Sequence, residues 1–188
     1  MNTTVAFLAQ TLAIFMGFFT RVVFTRTLSE GYVGINGLFT DILNILSLSE
    51  LGVGTAITYA LYAPIARRDI KKQQILMRMF RNFYRITAGF VVLAGLCLIP
   101  FLDILMKDRP DVNHLIIIYL LYLLNSVVSY LLIYKKTLVD AHQMNYITVM
   151  YHNGFLVLQD ILQIIVLFLT RNFILFLVIA VVCTIIGN

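Results

Sequence analysis

The chain has 188 residues, 61% hydrophobic and 12% charged, where an ordinary soluble domain has about 45–50% apolar and about 25% charged residues. With a mean hydropathy of +0.92, this composition excludes a disordered chain, a soluble enzyme domain and a nucleic-acid-binding module. The net charge of +5 rests on too few charged side chains to build a solvated basic surface, and it reads instead as a membrane topology signal.

A transmembrane helix needs about 20 largely apolar residues. The first such segment is 5–24. It has no basic n-region and no small-residue cleavage site, so it is a span and not a signal peptide. At about 100° per residue, Gln10, Gly17 and Arg21 share one face, flanked by Ala13 and Thr20. The second segment, 38–63, carries Asp41, Asn44, Glu50, Gly54, Thr55 and Thr58 on one half. A basic loop follows, with Arg67, Arg68, Lys71, Lys72, Arg78, Arg81 and Arg85. Within it Ile70, Leu76, Met79, Phe80 and Phe83 recur at helical spacing. That pattern fits either a helix lying on anionic headgroups or a cytoplasmic extension of the flanking spans.

The third segment, 84–101, is almost wholly apolar. The fourth, 115–134, clusters Tyr122, Asn125, Ser126 and Ser129, and Lys135 and Lys136 follow as loop residues. The fifth, 147–170, gathers His152, Asn153, Gln159, Asp160, Gln163 and Thr170 within about a third of its circumference. The sixth is an apolar run of 14 residues, 173–186. At ~1.5 Å per residue it covers about 21 Å of a ~30 Å hydrocarbon core, so the chain is expected to stop inside this helix.

Orientation follows the Lys/Arg count in short loops. Nine of the 14 basic residues lie in the second and fourth loops. The other five, Arg21, Arg26, Lys107, Arg109 and Arg171, lie on the opposite side, diluted by Glu30, Asp103, Asp108 and Asp111. Both termini are therefore expected in the cytoplasm.

Polar groups inside the spans carry the functional information. Ser, Thr, Asn and Gln often only hold membrane helices together. Ionisable groups deep in a span cost more and usually face a bundle interior or a wet cavity. This singles out Glu50 and Asp160, with Asp41 beside them, whereas Arg21 is near enough to its helix end to snorkel. Four spans with polar faces are expected to share one hydrophilic cavity. Other chemistry is missing from the sequence. Gly52-Val53-Gly54 is a poor dinucleotide loop, and there is no Walker A pattern. His114, His142 and His152 are too dispersed for a metal site. Cys97 and Cys183 lie in apolar runs and are expected as inert, reduced thiols. No enzyme, cofactor or nucleic-acid partner is expected.

Several stretches form a recognisable pattern. They are Arg26-Thr27-Leu28, Gly31-Tyr32-Val33-Gly34-Ile35-Asn36-Gly37-Leu38-Phe39, Leu48-Ser49-Glu50-Leu51-Gly52-Val53-Gly54-Thr55-Ala56-Ile57, and Leu61-Tyr62-Ala63-Pro64-Ile65-Ala66 with Asp69. Tyr84-Arg85 and Leu98-Ile99-Pro100-Phe101 extend it. The pattern resembles the polysaccharide-transporter family, the flippases for lipid-linked O-antigen and capsule repeat units within the multidrug/oligosaccharidyl-lipid/polysaccharide export superfamily. It covers roughly the first hundred residues, and beyond them the match is hydropathy and span order.

The resemblance implies an all-α integral membrane protein of the bacterial inner membrane, with residues 1–188 as the N-terminal six-helix lobe of a two-lobed fold. It departs from the family in lacking a basic tail before the first span and a C-terminal lobe, so the chain is expected to be a fragment or a half that pairs with a second lobe or a second copy. The implied activity is flipping of a polyprenyl-pyrophosphate-linked oligosaccharide. Arg21 and Arg26 would meet its diphosphate. Gln10, Asn44, Asn125, Asn153 and Gln163 would meet its sugar hydroxyls, and Glu50, Asp160 and Asp41 would couple an ion. The alternatives are a cation-coupled drug antiporter of the same superfamily and a non-transporting scaffold subunit of an envelope complex.

Overall fold

In a computed structural model the chain is described over residues 2–47, 53–102, 106 and 114–187. Among these residues it is all-helical. The helices are α1 (Asn2–Thr27), α2 (Glu30–Ser47), α3 (Val53–Ala66), α4 (Ile70–Leu98), α5 (Leu115–Ala141), α6 (Asn145–Thr170) and α7 (Phe173–Gly187). A 3-10 turn, Ile99–Phe101, closes α4 at Pro100, where the ring removes a backbone donor.

The stretch expected as one span, 38–63, is built from two helices, α2 and α3, and α2 begins at Glu30. Residues 48–52, including the expected coupling residue Glu50, lie outside the described residues. The basic segment is no separate surface helix. It is the first half of α4, capped by Asp69, whose carboxylate accepts the Lys72 N–H at 3.0 Å. Lys135 and Lys136, expected in a loop, sit inside α5, which runs on to Ala141. Hydropathy marks the stretch a bilayer would cover. The helix itself continues until a left-handed residue stops it, and such residues stand at Arg68, Gln143 and Arg171 with φ of 54°, 62° and 48°.

Two pairs of successive helices run antiparallel. Tyr119 of α5 donates its hydroxyl proton to the Gly95 carbonyl of α4 at 2.8 Å, while Tyr130 stacks on Tyr84 further along, so α4 and α5 are antiparallel. Gln163 pairs α6 with Phe176 of α7, and Tyr151 reaches Ile186, so these two are antiparallel as well. The most extensive packing joins α1 to α6, and this pair is parallel. Gln10 meets Asn153, Gly17 meets Asp160, and Phe19 and Arg26 meet Phe168 and Arg171.

Two apolar clusters hold the bundle. One joins Phe24, Phe39, Ile118, Tyr119, Leu167 and Phe173 from α1, α2, α5, α6 and α7. The other packs Phe80, Tyr84, Ala88 and Val91 of α4 on Leu123 and Tyr130 of α5. The outside is equally apolar: Phe7, Phe15, Phe18, Ile86, Phe90, Leu93, Phe168 and Leu169 are all more than half exposed. A water-soluble monomer rarely shows so continuous an apolar surface. Four helical segments, Phe7–Thr27, Ile70–Phe101, Leu115–Ala141 and Asn145–Thr170, are long and apolar enough to cross a membrane. Val53–Ala66 and Phe173–Gly187 are shorter apolar helices.

Candidate functional site

The polar residues of the spans are sorted by the fold into a closed seam and an open groove. The seam lies between α1 and α6. Gln10, Gly17 and Phe24 recur every seven residues on one helix, and Asn153, Asp160 and Leu167 recur every seven on the other. This repeat keeps two helices facing along a shared seam. Asn153 is 2% exposed and donates its amide N–H to Gln10 Oε1 at 2.9 Å. The Asp160 carboxylate is within hydrogen-bonding reach of Thr20. A Cβ placed on Gly17 would lie 3.9 Å from Asp160 Oδ2, an ordinary contact distance, which places the carboxylate beside the α1 backbone. Gln163 points away from the seam and donates to the Phe176 carbonyl of α7 at 3.0 Å.

The open groove lies between α2 and α5. Thr40, Leu43, Asn44, Tyr122, Asn125, Ser126, Ser129, Tyr130 and Ile133 enclose about 380 Å3. Liquid water takes ~30 Å3 per molecule, so a space this size holds about a dozen waters. Asn125 Oδ1 is buried there with no hydrogen-bond partner. A buried acceptor left unmatched is costly, which makes it a natural contact for a ligand hydroxyl. The Tyr122 hydroxyl donates to Asn36 Oδ1 at one end of the groove. Arg21 lies within electrostatic range of that tyrosine, and its guanidinium carbon is 5.9 Å from the Phe24 ring centroid. Ser129 and Ile133 also wall a second cleft on the other flank of α5, with Lys136, His152, Gln159 and Thr184.

The predicted residues thus divide. Asn44 and Asn125 line the groove, and Arg21, which does not line it, lies within electrostatic range of Tyr122. Gln10, Asn153 and Asp160 meet in the seam. Gln163 is buried against α7. Arg26 lines a different cleft with Arg171, Phe19, Val22 and Phe168, and Asp41 is exposed on α2. Thr40, Ser129 and Lys136 were not picked out as site residues. Thr40 precedes the polar half-face of its helix, and Lys136 looked like a loop charge. Cys97 is an exposed and Cys183 a buried free thiol.

Compared with family models, curated proteins and solved structures, the chain matches none significantly.

Proposed function

We propose that this chain is one six-span lobe of a transporter that flips a polyprenyl-pyrophosphate-linked oligosaccharide across a bacterial inner membrane. The observation that carries the reading is the α2/α5 groove. It is lined by the amides and hydroxyls of Asn44, Asn125, Ser126 and Ser129, and a cation outside it, Arg21, lies within electrostatic range of its Tyr122. Sugars present many hydroxyls and a diphosphate presents oxyanions, and these two donor sets complement them. The resemblance of residues 21–69 to polysaccharide transporters points the same way.

Helix direction supports the span count. Between the parallel helices α1 and α6 the chain must cross the bilayer an odd number of times. α4 and α5 supply two crossings, so α2 and α3 together supply the third. With α7 the total is six, and the basic first half of α4 and the Lys135–Lys136 end of α5 then share the cytoplasmic side. A second lobe or a second copy would close the groove from the opposite side, because alternating access requires two bodies.

Arg21→Ala should abolish surface polysaccharide in a strain that depends on this protein, with the variant present in the membrane at normal level by immunoblot. Normal polysaccharide in that strain removes Arg21 from the mechanism. A second reading, a cation-coupled drug antiporter, is favoured by Asp160, a carboxylate held within the α1/α6 seam. It predicts drug sensitivity without polymer loss on deletion.

A further inference from the structure

One polar surface of the bundle belongs to neither the seam nor the α2/α5 groove. Gln74, Met77, Arg78 and Arg81 lie on one face of α4 at helical spacing, and with Tyr134 of α5 they enclose about 400 Å3. Among the described residues no carboxylate lines this space. Arg81 Nε is buried and has no hydrogen-bond partner. A buried charged donor without a partner costs free energy that a bound oxyanion would recover. Arg78 and Arg81 stand one helical turn apart on α4, with Gln74 a turn before them and Tyr134 of α5 completing the lining. Such an array of donors suits the tetrahedral oxygens of a phosphate.

The depth of the groove selects the kind of phosphate. About 20 residues at ~1.5 Å rise cross a ~30 Å hydrocarbon core. Counted back from Phe101, the last residue of the α4 segment, that length ends at the turn of Arg81. Counted forward from Leu115, the first residue of α5, it ends at Tyr134. Two helices measured from their opposite ends place the groove at the same level, where the hydrocarbon stops and lipid headgroups begin. We propose that Gln74, Arg78, Arg81 and Tyr134 form a discrete binding site for the headgroup phosphate of an anionic phospholipid. The neighbouring Lys71 and Lys72 do not line it and supply only diffuse attraction. The site stands independently of the transport reading, since it uses none of the α2/α5 groove residues.

The test is native mass spectrometry of the full chain in detergent, titrated separately with phosphatidylglycerol, phosphatidylcholine and a polyisoprenyl diphosphate. The wild type should retain one phosphatidylglycerol in preference to phosphatidylcholine. Arg78→Gln with Arg81→Gln should weaken that retention about tenfold or more, the loss of charge-assisted hydrogen bonds. Lys71→Gln with Lys72→Gln should weaken it less than about twofold, as expected for screened surface charges. An unchanged lipid-free melting temperature shows the groove variant to be folded, and the single Arg78→Gln, at an exposed position, serves if the double variant is not. Equal weakening in both double variants, equal retention of phosphatidylcholine, or tighter retention of the polyisoprenyl diphosphate at these arginines would each overturn the assignment.

Discussion

Asn153 shows how a single polar side chain in a membrane helix can be read two ways. On the helical wheel it belongs to the same polar face as Asp160 and Gln163, and it is equally compatible with solvent or with a partner helix. In the folded chain it is almost fully buried and bonded to Gln10. Interhelical side-chain bonds in membranes contribute modestly, about 0.6 kcal/mol on average and up to about 1.7. A double-mutant cycle with Gln10→Leu and Asn153→Leu, read by unfolding in mixed micelles, should therefore give a coupling of about 0.5–1.5 kcal/mol. Strict additivity would show that the bond contributes nothing to the α1/α6 seam. Asn125 is the contrasting case. It is the same residue type in a similar sequence setting and lines the groove, yet its carbonyl oxygen is buried with no partner. Which of the two amides is free depends on which helix lies opposite, and the periodicity of one helix carries no record of that.

At the scale of an element, α4 and α5 illustrate how close approach is built in. Gly95 lies against Leu123, and a Cβ there would sit 2.5 Å from Leu123 Cδ1. The same approach lets Tyr119 reach the Gly95 carbonyl. Gly95→Ala should destabilise the bundle by about 1–3 kcal/mol through overpacking. Leu123→Ala alone should cost about 2–5 kcal/mol as a cavity. The two together should cost clearly less than their sum, because the new methyl enters the space the leucine vacates. Additive losses in thermal unfolding would place the strain elsewhere. The long α4 was legible in part: its amphipathic spacing announced a helix. Its continuity into the apolar span was not legible. No glycine or proline lies between Ile70 and Ala88, so nothing local separates a surface helix from an extension, and packing on α5 decides for the extension.

For the whole molecule, the directions of α1, α4, α5, α6 and α7 and the placement of the basic residues make one joint prediction. Single cysteines at Arg68 and Gln143 should react with an impermeant thiol reagent from one face of the membrane. Cysteines at Ser29 and Asn172 should react only from the other face. Cys97, which is exposed, and Cys183 are first replaced by serine. Labelling of Ser29 and Arg68 from the same face would mean that α2 and α3 do not cross, and it would remove the six-span arrangement. The parallel contact between α1 and α6 is also why one large cavity does not form. It closes the polar face of α1 against that of α6, and the α2/α5 groove, lined by Asn44, Asn125, Ser126 and Ser129, lies apart from that seam.

Composition and hydropathy by themselves determined that this chain is helical, with four helices long and apolar enough to cross a membrane, and that its positive charge is concentrated in two stretches. These are sums over local stretches, and the cost of burying a polar backbone in lipid makes such sums decisive. The assignment of each polar face was decided only by the tertiary structure. A helix presents the same stripe to water, to lipid headgroups or to a neighbour. Gln10 and Asn153 satisfy one another, Gln163 satisfies a backbone carbonyl, and Asn125 and Arg81 keep an unmatched atom, because hydrogen bonds are short and directional and depend on which residues, far apart in sequence, are brought within reach.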